Sequence, residues 1–268
     1  MKMRNVGLLA VSLILALIAL RHRHELKAET LALYDLSFYR HSDPSPVSPV
    51  EARLVAHAGG AVHGQIYTNS REALDEHYTM GYRVFELDFD WTSDGHLILS
   101  HDWKTTSSQF GVPIHIFSYD EFVTRTRYDG LHQMSFEDLR AWLRNHPDAL
   151  VVTDTKTTNR RLLDYLRRNG GNILSQLIIQ IYRLPELQEA RQLNPRAVWL
   201  TVYRNSYPAW ALSRISGVDA FVIPVELYTK YNNPQLMAQM HYYVHSISAE
   251  SVDETAKRMP GIYGFYVD

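Results

Sequence analysis

The chain has 268 residues, with 27 Lys and Arg against 29 Asp and Glu, for a formal net charge of -2. It carries no basic excess or stripe, which argues against a nucleic-acid partner. It has no cysteine, so disulfide and thiolate chemistry are excluded and any metal must be held by oxygen or imidazole.

The chain opens with Lys2 and Arg4, then an apolar run from Val6 to Leu20, closed by Arg21-His22-Arg23-His24. No small-x-small cleavage site follows, so the run is expected to be an uncleaved membrane anchor over residues 1–23, with the catalytic domain extracytoplasmic. Secretion after signal cleavage is the alternative. Residues 24–52 are expected to be a linker. Glu25 to Leu36 has short-helix character, and the Pro- and Ser-rich stretch His41 to Pro49 is unsuited to regular structure.

A folded domain is expected over residues 53–268. Leu54-Val55-Ala56-His57 reads as a strand entering Gly59-Gly60, and Asn69-Ser70 as the cap of a helix from Arg71 to Met80. Val84 to Asp90 reads as the second strand, Ser135 to Asn145 as an amphipathic helix, and Ala149 to Val152 as the third strand. Helices and strands then alternate, with strands near 178, 198, 221, 243 and 264. Eight strands in alternation predict an α/β protein, a closed (β/α)8 TIM barrel rather than an open doubly wound sheet.

On a strand, residues two apart share a face, so Glu86 and Asp88 project together. In such a barrel the reactive residues sit at the C-terminal strand ends. Those ends carry His57, Glu86, Asp88, Asp154 and Lys156, then Gln180, Arg183, Tyr203, Arg204, Glu226, His245 and Asp268. Glu86, Asp88 and Asp154 make a hard-oxygen set suited to a divalent cation, Mg2+ or Ca2+. Asp90 is the weaker ligand candidate. His57 and His101 suggest a general acid and a general base, and Lys156, Arg183 and Arg204 are candidate phosphate contacts.

His57-x-Gly59, Asn69-Ser70-Arg71-Glu72-Ala73, Gly81-x-x-x-x-Glu86-x-Asp88, Thr92-x-Asp94-Gly95 and His101-Asp102 together resemble the glycerophosphodiester phosphodiesterase family. That family belongs to the phospholipase-C-like phosphodiesterases, which are metal-dependent (β/α)8 barrels. The resemblance covers roughly residues 53–268 and is strongest up to residue 102. It implies catalytic roles for His57 and His101, metal binding by Glu86 and Asp88, and a third ligand at Asp154. It also implies a phosphate contact at Lys156. The implied activity is hydrolysis of a glycerophosphodiester or a lipid-related phosphodiester, in part through a cyclic phosphate.

The sequence departs from the family pattern where Ala58 stands in place of an arginine and where Tyr67-Thr68-Asn69 replaces Pro-Glu-Asn. Asp-x-Lys in place of Glu-x-Lys is similar to the sphingomyelinase D branch. A non-catalytic metal- or phosphate-binding barrel is therefore an alternative reading, and an unrelated barrel lyase or isomerase a third.

Overall fold

The apolar runs form strands whose order closes on itself. A computed structural model describes residues 23, 25–37, 50–204, 207–238 and 240–268, with the side chain of residue 236 left aside. The strands are β1 (Leu54–Ala56), β2 (Val84–Trp91), β3 (Leu97–Leu99), β4 (Leu150–Thr155), β5 (Leu177–Ile181), β6 (Ala197–Thr201), β7 (Ala220–Pro224), β8 (His241–Ile247) and β9 (Gly264–Val267). All but β3 pair in parallel, in the order β1-β9-β8-β7-β6-β5-β4-β2, and β1 also pairs with β2. That last pairing makes the sheet an eight-stranded parallel barrel and sets aside the open-sheet alternative. The run at Leu97 is instead an antiparallel hairpin strand on β2, aligned Phe89 to Leu99.

Period two divides every strand between two environments. Outward residues such as Phe85, Leu87, Val151, Ile179, Leu200, Phe221 and Val244 pack under the helices, against Leu74, Leu139, Trp142 and Leu163. Inward residues form a second apolar cluster of Val55, Val84, Val152, Ile178, Trp199, Val222, Tyr243 and Tyr266. Further along the same inward faces the residues turn polar: Val84 is followed by Glu86 and Asp88, Val152 by Asp154, Ile178 by Gln180, and Tyr243 by His245. The parallel register levels these steps, with Asp88 opposite Asp154 and Glu86 opposite Val152. Polar groups thus collect at the C-terminal mouth above a dry floor, where the Trp199 and Tyr243 rings stack at 4.3 Å.

Four helices matter for the site. Helix α1 spans residues 25–37, α2 is Arg71–Thr79, α3 is Trp103–Gln109 and α4 is Tyr119–Thr124. Ser70 caps α2, accepting from the Ala73 amide at 3.2 Å, which leaves Asn69 available for the site. Before α2 the chain turns at Gly60, where φ is 98° and an added Cβ would lie 2.4 Å from the His77 ring, so only glycine fits. Helices α3 and α4 were not anticipated. They surround a small satellite core of Ile98, Phe110, Phe117 and Phe122 whose apolar residues lack one clear period.

One expectation falls on residues the structure does not describe, and another meets a different outcome. The apolar run Val6 to Leu20 lies outside the described residues; among those described, no helix is long and apolar enough to cross a membrane. Helix α1, which the sequence places in a linker, is docked on the barrel. Its Ala32 and Asp35 are fully buried, and the Asp35 carboxylate accepts from the Arg183 guanidinium and the Tyr207 hydroxyl. A buried aspartate needs such partners, and they come from the β5 and β6 ends, remote in sequence.

Candidate active site

Glu86, Asp88 and Asp154 converge at the barrel mouth, all three buried, with one carboxylate oxygen from each lying within 4.8 Å of the others. Glu86 accepts from the Ala58 amide at 2.9 Å, on a residue held at φ 49°. Burial, together with the charge of Asp88, pushes the Glu86 carboxyl up to about 8. Asp88 is gripped by Asn69, which donates to its Oδ2 at 2.9 Å and accepts its backbone amide at 2.9 Å. Asp88 Oδ1 is buried and accepts no hydrogen bond, facing Lys156 Nζ at 2.8 Å in a charge contact.

Asp154 is the most heavily partnered of the three. It accepts from Lys156, Tyr182, Tyr203 at 2.7 Å and Gln180 at 3.1 Å. Burial would raise its carboxyl, but Lys156 and the tyrosine hydroxyls outweigh that and hold it well below the usual carboxylate range. Burial likewise works against the Lys156 ammonium, and Asp88, Asp154 and Glu86 reverse it, so Lys156 is firmly protonated. The three carboxylates suit a divalent cation in kind and placement: hard oxygen donors, buried and clustered within 4.8 Å of one another. Asp90 is outside the cluster and accepts its neighbour Trp91's amide at 2.8 Å.

The two histidines each carry a carboxylate on Nδ1. His57 Nδ1 donates to Asp268 Oδ1 at 2.5 Å, while its Nε2 lies 3.7 Å from Glu86. Burial opposes protonation of His57, yet the Asp268 hydrogen bond and the charges of Glu86 and Asp268 raise its pKa on balance. His101 Nδ1 donates to Asp102 Oδ2 at 2.6 Å, and Asp102 Oδ1 also caps α3 through the Thr105 amide at 2.7 Å. The cap that starts α3 therefore also orients His101. His245 packs edge-on against His57 at 4.4 Å, and burial, with the His57 charge, depresses its pKa to about 3.

The structure brings together His57, Glu86, Asp88, Asp154 and Lys156 as expected from the barrel ends. Arg204 lies beside them, donating to the Thr155 carbonyl with its guanidinium 3.9 Å over the Tyr182 ring. Arg183 has a different employment from the one expected: it pairs with Asp35 of α1. Glu226 is exposed in a 3-10 turn beyond β7. The supporting partners Asp268, Asn69 and Tyr182 were not assigned their roles from sequence. Asp268 alone had a usable signal, since the last strand of a closed barrel must lie beside the first.

No protein-family model matches the sequence. Among solved structures, the chain superposes on a glycerophosphodiester phosphodiesterase from Thermotoga maritima with a TM-score of 0.63 at 16% identity, covering 81% of this chain and 95% of that one. An enzyme of the same description from Parabacteroides distasonis gives 0.61 at 16%, covering 82% and 94%. A phosphodiesterase from Oleispira antarctica, in complex with the product sn-glycerol-3-phosphate, gives 0.61 at 15%, covering 81% and 92%. The chain shares their fold. The match spans nearly the whole of each neighbour.

Proposed function

We propose that the protein is a metal-dependent phosphoric diester hydrolase of the glycerophosphodiester phosphodiesterase type, acting on a glycerophosphodiester or a lipid-related phosphodiester. The observation that carries this is the carboxylate trio at the mouth of a barrel shaped like those enzymes, with His57 bordering it and His101 on the adjoining loop. Glu86, Asp88 and Asp154 would hold Mg2+ or Ca2+, which would supply Lewis-acid neutralisation of a phosphate oxygen. One histidine, neutral at Nε2, takes the proton of the attacking hydroxyl, from either the substrate's adjacent alcohol or water. The new P–O bond forms as the ester P–O bond breaks, and the second histidine, protonated, gives its proton to the departing alkoxide. Where the attacker is the adjacent alcohol, water opens the cyclic phosphate with the two roles exchanged.

The Asp268 and Asp102 carboxylates orient both rings for this, each leaving Nε2 available. Lys156, tethered between two of the carboxylates, is placed to turn toward a phosphate oxygen. For location, the proposal is that Val6 to Leu20 anchors the chain and the barrel lies extracytoplasmic; protease protection in membrane vesicles checks it. The test of function is alcohol release from glycerophosphodiesters, lysophospholipids and sphingomyelin, with Mg2+, Ca2+ or chelator. Metal-dependent turnover abolished by His57→Ala or His101→Ala is expected; turnover indifferent to both substitutions would overturn the mechanism.

A second reading, a non-catalytic binder, is favoured by one observation: Lys156 already supplies a positive charge to Asp88 and Asp154. Tight metal binding with no turnover on the whole panel would select it.

A further inference from the structure

Tyr67 lies in the loop between the Gly60 turn and α2, half-buried, with a φ of 58°. A bulky side chain seldom adopts that left-handed conformation unless its surroundings impose it. Here they do. The next residue's carbonyl, on Thr68, accepts from the buried Arg127 guanidinium at 2.9 Å, and Asn69 is pinned twice to Asp88.

The strained backbone delivers the ring to one place. Its centroid stands 5.0 Å from that of His57 and 4.6 Å from that of His101. A phosphodiester in reach of both imidazoles must therefore lie against Tyr67. The Tyr67 hydroxyl makes no hydrogen bond among the described residues, and it stands in the fields of Asp268, Asp88 and Lys156. The two nearby arginines are otherwise engaged, Arg183 by Asp35 and Arg204 by the Thr155 carbonyl, so Tyr67 joins Lys156 as a group placed to reach a phosphate oxygen. Residue 58, beside His57, is alanine and offers only its backbone amide, which Glu86 takes.

We propose that Tyr67 is a substrate-contacting residue whose ring walls the space between the two histidines and whose hydroxyl donates a hydrogen bond to a phosphate oxygen of the bound ligand. Burial, with the negative charges around it, raises the phenol pKa, so the donor proton is retained at neutral pH. The inference rests on the phosphodiesterase reading, but binding tests it separately from turnover.

The experiment uses the full chain with Mg2+ and titrates sn-glycerol 3-phosphate by calorimetry, comparing wild type, Tyr67→Phe and Tyr67→Ala. Phenylalanine keeps the wall and removes only the donor, so affinity is expected to fall about 10- to 100-fold with the thermal midpoint unchanged. Alanine is expected to weaken binding further, since the wall goes too. Affinity of Tyr67→Phe within twofold of wild type overturns the assignment, as does the absence of binding by wild type. Turnover of the substrate panel by wild type, scored apart, tests the underlying activity.

Discussion

Asp268 reaches across the seam between the last and first barrel strands to accept a hydrogen bond from His57, with 2.5 Å between Oδ1 and Nδ1. The second oxygen of Asp268 is held by the Ser246 hydroxyl at 3.1 Å, so the carboxylate is itself oriented. Asp268→Asn is expected to lower kcat about 10- to 100-fold by loosening the imidazole's tautomer and angle. His57→Ala, which removes the group itself, is expected to cost about 10²- to 10⁴-fold. Steady-state kinetics on the best substrate of the panel compares the two, and equal kcat for Asp268→Asn and wild type would remove Asp268 from the mechanism.

Asn69 connects the loop after β1 to β2 through two hydrogen bonds to Asp88. Asn69→Ala leaves a buried carboxylate oxygen and a buried amide without their partner, costing about 1–3 kcal/mol of stability. Metal affinity is expected to fall about 10- to 100-fold, read by calorimetric titration with Mg2+ and Ca2+.

Metal binding should itself appear as stability. Cation at about 100 times its dissociation constant is expected to add about 2.7 kcal/mol to the folded state. For a chain of this size that is a rise in thermal midpoint of several degrees, at about 2–4 °C per kcal/mol. Asp88→Asn is expected to abolish the rise, and chelator to reverse it in wild type. A midpoint unmoved by either cation would count against a divalent site.

The Arg127–Asp129 pair supports the loop that carries Tyr67 and Asn69, and both its side chains are nearly inaccessible. Burial would raise the Asp129 carboxyl, but the Arg127 hydrogen bonds and the Leu131 amide hold it below its ordinary value. A depressed carboxylate contributes stability that is complete above the unfolded pKa, about 3.9, and is lost as pH falls through the folded value. Asp129→Asn is therefore expected to cost about 3–5 kcal/mol at neutral pH, by leaving Arg127 uncompensated, and less as pH drops below about 4. Urea midpoints across that pH range decide it.

The barrel was legible because each strand is short, apolar and separated from the next by helical sequence, so alternation alone specified a parallel sheet. Glu86 and Asp88 were legible because period two places them together whatever the fold does elsewhere. The partners of these groups were not. Asp268 is 211 positions from His57, and barrel closure makes them neighbours; Asp35 is 148 from Arg183, and only the docking of α1 brings them together. Arg183 illustrates the difficulty: its place at a strand end is local information, while the direction it turns depends on a helix read as linker. Tyr67 was visible only as a departure from Pro-Glu-Asn, because its position depends on a positive φ imposed by Arg127 and Asn69.

Docking of α1 is testable on the same grounds. Asp35→Ala would remove the acceptor of the part-exposed Arg183 guanidinium and of the buried Tyr207 hydroxyl, and a loss of about 1–3 kcal/mol is expected in chemical denaturation of the full chain. A change below about 0.5 kcal/mol, the level of an unremarkable surface substitution, would return residues 25–37 to the status of a tether.

The two inward storeys of the barrel, aliphatic and aromatic below, acidic and imidazole above, divide responsibilities along its axis. Val84, Val152 and Ile178 sit one inward step beneath Glu86, Asp154 and Gln180 on the same strands. Exchanges in the upper storey leave the floor's packing in place, so new head groups can be tried there without re-solving the fold. Exchanges in the floor shift the strands that aim the upper storey. Variation in what this barrel recognises is thus cheap at the mouth and constrained beneath it.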